Sequence, residues 1–370
     1  MRILPTAASG DRPRDRTLLA IIALAIALRA IIAYVALSPD AGFAADIAAF
    51  RYWTADLVAH GPWGMYGRGY FLDYLPGYLL VLWPTGVLSS LLTNDPGTLV
   101  KLPAIVGDGL LIVGAVRLSR DLGASARAQV VLAALLAIAP MTWLDSTVWG
   151  QVDSVGTAVM LFAVSSLVRG STARGAALAA LAAVIKPQFG ILIPVVALLA
   201  IVRARREGDP WAVAVAALAG AATIALAALP FGLTIVDVLF KVFDAAGGYA
   251  YLSVNAWNPW ALIEVGGRSI VSGTGWASDL DPLPLVGAPG VALGTAALLA
   301  ALGAGLARLR RDRAATTVAV LAFFAIAFFV LPTRVHERYL YPAIPLTLVL
   351  AAAFPRWRPI AAIVSLHFLA

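Results

Sequence analysis

Residues 39–74 read PDAGFAADIAAFRYWTADLVAHGPWGMYGRGYFLDY, and the rest of the chain is read outward from them. This is the first place where carboxylates, aromatics and glycines gather. From Asp46 onward, Ile47, Phe50, Trp53 and Leu57 recur at helical spacing, while Asp56 and His60 fall on other faces. The pattern predicts a helix lying along a membrane surface rather than crossing it. Asp46 stands at its start, beside the bilayer, where a charge is costly unless it has a partner or a task.

On either side of this stretch, apolar runs of roughly 15–20 residues recur, the length a helix needs to cross a bilayer. The 370 residues are 61% hydrophobic and 13% charged, which excludes an ordinary soluble globule. A membrane β-barrel would show short alternating segments instead. The formal net charge of +7 comes from arginine clusters between apolar runs, the signature of cytoplasmic loops, and implies no nucleic-acid partner. With no cysteine and 3 histidines, disulfides, thiolate chemistry and polyhistidine metal centres drop out. No cofactor is called for and no residue is assigned to a metal, although the paired acids Asp46 and Asp73 suit either a divalent metal or a base and its helper.

The fold class is therefore all-α: a polytopic transmembrane bundle of about eleven or more helices, with surface-lying helices in a long first loop. Residues 1–16 form a cytoplasmic tail, and residues 17–370 form one transmembrane domain with external loops at 39–97 and 231–284. The last residues are apolar, so the natural chain is expected to continue. Placing each cluster of two or more arginines inside fixes one orientation. Lys101–Val116 then runs inward, so Leu79–Leu92 is surface-lying or re-entrant, broken by Pro76, Gly77, Pro84 and Gly86. In this orientation the polar motifs fall together on the outer face.

Four motifs carry chemistry. In Trp149-Gly-Gln-Val-Asp-Ser, Gln151 and Asp153 suit paired contacts to sugar hydroxyls, although Asp153 or Ser154 also suits a helix N-cap. Lys186-Pro-Gln188 places a lysine on the side opposite the arginines, where it either snorkels to the interface or meets a phosphate. Thr333-Arg-Val-His-Glu-Arg packs Arg334, His336, Glu337 and Arg338 into one turn, a grouping suited to a phosphodiester. Asn255-Ala-Trp257-Asn-Pro-Trp offers rings and amides for carbohydrate, or equally an interfacial aromatic belt. Asp73 closes the first loop as a second acid; Asp108, within a helix, reads as a packing or site-floor residue.

In this order, the acidic residue after helix 1 and the WGQVDS, KPQ and VHERYLYP turns resemble the GT-C glycosyltransferases. The likeness is to the branch using lipid-phosphate-linked glucose or mannose. The resemblance implies a polyprenyl-phosphate hexose donor, an acceptor that is a lipid, glycan or protein, and Asp46 as general base. Some relatives carry two adjacent acids in this loop; here Ala45 and Ile47 flank Asp46, which departs from a metal-assisted pattern. The residues accommodate that chemistry: one base for the acceptor hydroxyl, and Lys186, Arg334, His336 and Arg338 for the leaving phosphate. Asp73, Gln151, Asp153, Gln188, Asn255, Trp257 and Glu337 are then the sugar and acceptor contacts. The rival reading is a transporter or flippase of lipid-linked sugars. Transporters usually carry midplane charges and internal repeats, and no repeat is evident here.

Overall fold

The computed structural model describes residues 12–368, so most of the expected tail, residues 1–11, lies outside the described residues. The regular structure of the described chain is all helical, with only isolated β-bridges in its loops. Helix α1 (Arg12–Ile31) ends in a π-turn at Ile32–Ala36 and leads to α2 (Ala44–His60) and α3 (Pro76–Thr93). Next come α4 (Leu102–Asp121), α5 (Ala126–Ile138), α6 (Pro140–Trp143), α7 (Asp153–Val168) and α8 (Thr172–Ile185). The second half holds α9 (Ile193–Glu207), α10 (Trp211–Ala228), α11 (Ile235–Gly247) and α12 (Gly290–Arg308). It closes with α13 (Ala314–Val330), α14 (Ala343–Ala353) and α15 (Arg358–His367).

Six helices are long and apolar enough to cross a membrane, or seven if the pair bent by 50° at Ala139 counts as one span. α7, α8 and α13 are apolar but shorter, so eleven crossings by length alone are not present among the described residues. α7 and α8 lie inside the bundle, where neighbouring helices rather than lipid surround most of their length. Close approach is built in where needed: a Cβ at Gly107 of α4 would stand 2.7 Å from the Ser154 hydroxyl of α7. Small residues give packing in lipid what the hydrophobic effect cannot.

The segment expected to be broken is one continuous helix, α3. Pro76 sits in its first turn, where the missing N–H costs nothing. Gly77 lets the helix start abut the backbone of Val184 and Ile185, and Gly86 takes in Thr54 and Val58 of α2. The glycines thus serve contact rather than flexibility. Both ends of α3 meet the same end of the bundle: Pro76–Gly77 meet α8, and Asp95 pairs with Arg51, which also holds Asp40. The apolar face of α2 is buried as expected, with Ile47, Phe50, Trp53 and Leu57 each 2% exposed or less. Its cover is protein, however. Tyr78, Leu79 and Leu82 of α3 complete an aromatic core with Phe50 and Trp53.

A buried polar pin holds the middle of the bundle. The Arg29 guanidinium in α1 donates to Asp108 of α4 at 2.5 Å and to the Thr142 hydroxyl at 3.0 Å. It also donates to the Ala137 carbonyl at 2.8 Å, which the break before Pro140 leaves without a helical partner. Ser146 and Tyr341 complete the shell of Asp108. Within a membrane such freed backbone groups must be satisfied by protein, and Arg29 does this. Asp108 is therefore a packing residue, as its mid-helix position suggested.

The two ends of the bundle differ in charge. At one end stand Asp46, Asp73, Trp149–Asp153, Lys186 and Arg334–Arg338. At the other, Arg203 pairs with Asp312 at 2.8 Å and Arg169 with Asp121 at 2.8 Å, tying neighbouring loops together.

Candidate active site

At the first of these ends lies a cavity of about 600 Å³. Its wall includes Asp46, Asp73, Lys186, Gln188, Asn255 and the turn Arg334–Arg338, so residues far apart in sequence converge. α2 supplies Asp46 in its first turn, where a carboxylate also meets the positive end of the helix dipole. The Trp149 indole N–H donates to Asp46 Oδ2 at 2.8 Å, and the Gln151 amide donates to the same oxygen. Tyr74 donates to the Gln151 carbonyl oxygen at 3.0 Å, fixing the amide's orientation. Both donors thus fall on one oxygen, and among the described residues Oδ1 has no protein donor.

Gln151 and Asp153 do not face the cavity, contrary to the expectation that they bind sugar. Each is 0% exposed. Gln151 backs Asp46, and Asp153 backs the basic side of the site. The Lys186 ammonium lies 2.9 Å from both Asp153 oxygens, and Gln188 donates to Oδ1 at 2.7 Å. The capping alternative fails for Asp153 too, since it lies within the first turn of α7 and its side chain caps nothing.

The Arg334–Arg338 turn is held by the second long loop. Val254 N–H donates to the Val335 carbonyl at 2.9 Å, and Arg334 N–H donates to that of Tyr251 at 2.9 Å. Arg334 takes φ +65° and directs its guanidinium to Asp279 at 2.7 Å and 3.2 Å. Its charge is therefore spent on the loop, and it is less available to a phosphate than its sequence position suggested. His336 departs further from the expected cation. Burial, aided by Arg338 and Lys186, pushes its imidazole down to about 3, so it is neutral near pH 7. It packs edge-on against Tyr249 at 4.8 Å.

Arg338 is the cation that remains. It pairs with Glu337 at 2.9 Å, approaches Asp153 at 4.0 Å and lies 5.5 Å over the Trp149 ring. Among the described residues its buried Nε has no hydrogen-bond partner, nor has the Gln188 carbonyl oxygen. Asp73 lines the same wall. Burial raises its carboxyl above the usual range; Asp46 adds to the rise, while Arg338 and Lys186 oppose it. Asn255 reaches the wall but accepts from Trp276 at 2.9 Å. Trp257 stands outside the cavity, 49% exposed, and Asn258 and Trp260 bind carbonyls at the end of α13. The aromatic motif mainly fastens its loop. The wall also holds Tyr74, Trp149, Tyr249, Trp276 and Tyr339, none singled out by the sequence as a site residue, although Tyr74, Trp149 and Tyr339 lie within the quoted stretches.

Comparison with known proteins agrees with this architecture. The archaeal oligosaccharyltransferase AglB from Archaeoglobus fulgidus, in complex with an inhibitory peptide and a dolichol-phosphate, superposes with a TM-score of 0.54 at 13% identity. The match covers 95% of this chain and 52% of that one. ArnT from Cupriavidus metallidurans, in the apo state, gives 0.51 at 18% identity over 94% of this chain and 62% of its own. The chain thus spans between half and two thirds of the length of these structures, and the likeness is one of fold. No curated protein sequence gives a significant match. The sequence model of glycosyltransferase family 87 matches residues 71–334, taking in the WGQVDS and KPQ turns and ending on Arg334. On that match the chain belongs to glycosyltransferase family 87, and it shares the fold of these membrane enzymes.

Proposed function

We propose that the protein transfers a hexose, mannose or glucose, from a polyprenyl-phosphate donor to a lipid, glycan or protein acceptor of the cell envelope. The observation that carries this reading is the Asp46 carboxylate, with two donors on one oxygen and the other left for a ligand. In the proposed reaction Oδ1 accepts the proton of the acceptor hydroxyl as that oxygen attacks the anomeric carbon. The bond from that carbon to the phosphate oxygen breaks on the opposite face, so the centre inverts. The released lipid phosphate carries its own negative charge and needs cations rather than a proton. Arg338 is placed to supply the main one, with Lys186 beside it. Neutral His336 and Tyr249 offer ring faces and hydrogen bonds to the sugar. The active site opens outward from a cytoplasmic membrane, with the arginine-rich end inside.

The decisive experiment is a transfer assay with a polyprenyl-phosphate hexose. Asp46→Asn keeps the shape but cannot take the proton, and should lower turnover by about 100- to 10,000-fold while donor still binds. Asp73→Asn should cost less. Near-normal turnover in Asp46→Asn, with loss in Asp73→Asn, would transfer the base to Asp73 and refute this assignment.

A further inference from the structure

At the end of the bundle away from the active site, α12 closes into the tight turn Leu309–Arg311, and α13 begins at Ala314. Between these elements and the Pro355–Trp357 turn lies a second cavity, of about 870 Å³. Its rim carries Arg308, Arg310, Arg311, Arg313 and Arg356. Its inner wall is apolar, formed by Ala319, Val320, Phe323, Leu350 and Phe354. No carboxylate lines it.

The distribution of ion pairs separates these arginines from their neighbours. Arg203 is spent on Asp312, Arg169 on Asp121, and Arg117 donates to Ser165 at 3.0 Å. Asp312, the acid within the basic run, turns to Arg203 and Arg206. Among the described residues, none of the five rim arginines forms an ion pair. Loop arginines satisfy membrane topology wherever they point. Topology alone gives no reason for two basic turns, residues 308–313 and Arg356, to ring one concavity with a greasy wall. Phe323 is 44% exposed in that wall, apolar surface that a bound chain would cover.

We propose that this cavity is a binding site for an anionic phospholipid. Guanidinium forks match the two free oxygens of a phosphodiester, and an acyl chain fits along Val320, Phe323 and Leu350. Trp357 also lines the cavity, a residue type that favours the headgroup layer. A free phosphate would satisfy the arginines but leave the wall bare.

The test takes the purified protein in a neutral detergent and adds phosphatidylglycerol, phosphatidylcholine or inorganic phosphate. Thermal unfolding and native mass spectrometry follow binding. Phosphatidylglycerol should raise the unfolding temperature and persist as a bound adduct, whereas phosphatidylcholine should do neither. Arg310→Gln, Arg311→Gln and Arg356→Gln together should weaken phosphatidylglycerol binding on the order of 100-fold. Arg205→Gln, at the same end but outside the cavity, should leave it unchanged. Equal effects of the two lipids, undiminished binding in the triple variant, or a full shift with inorganic phosphate alone would each overturn the proposal. Should the triple variant fail to insert, the single exposed reversal Arg356→Glu replaces it, and unchanged binding there counts equally against the site.

Discussion

Asp46 owes its orientation to an indole and a carboxamide that bind one of its oxygens, with Tyr74 steadying the carboxamide. Gln151→Leu should therefore leave Asp46 present but misdirected. We expect kcat to fall about 100-fold with KM little changed, since small misplacements of a reacting group cost about that much. An equal loss in KM would instead make Gln151 a substrate contact. His336 supports a separate, pH-based test. Its folded value near 3 lies below the ordinary 6.5, so the folded state binds fewer protons between those limits. Stability from this group is complete above about pH 6.5 and is lost as pH falls toward 3. Between pH 7 and pH 5 the loss should be about 1–2 kcal/mol. His336→Gln should flatten that limb in thermal melts; an unchanged acid slope would mean that the imidazole protonates freely. Asp46, Lys186 and Arg338 were legible in the sequence because charges are conspicuous beside apolar runs. Asp279, Tyr74 and Trp276 were not, because their partners are set by contacts between distant segments.

Among the elements, α3 and the α5–α6 break teach opposite lessons about proline. Pro76 and Pro84 looked like helix breakers, yet α3 is continuous, since one sits at the permissive first turn and the other is tolerated within the helix. Pro140 does interrupt its helix, and Arg29 then takes up the freed carbonyls. Local sequence does not distinguish these cases, since the deciding group lies more than a hundred residues away. The Arg29–Asp108 pin can be tested directly. Arg29→Met alone leaves a buried carboxylate unpaired and should cost roughly 3–5 kcal/mol. Adding Asp108→Leu should recover much of that loss in thermal unfolding. A double variant no more stable than the single one would show that the freed carbonyls, rather than the lone charge, set the cost.

Over the whole molecule, polar chemistry gathers at one end and arginine at the other, a division already readable from the loops. The proposed orientation is open to a labelling test, because the chain has no native cysteine. A cysteine at exposed Ala45 should react with an impermeant reagent added outside intact cells, and one at exposed Arg205 should not. Reversed labelling would invert the topology. The convergence of Asp46 with Arg338 also has a consequence for biosynthesis. The ribosome makes Asp46 first, and 292 residues separate it from Arg338 (338 − 46). At about 5–20 residues per second, that interval is roughly 15–60 s. Throughout it, α2 and α3 must keep their place without the later segments that complete the cavity. Their shared aromatic core of Phe50, Trp53, Tyr78 and Leu82 lies almost wholly within the first hundred residues. The nascent chain therefore carries a preassembled cradle beside Asp46, waiting for the arginine that arrives last.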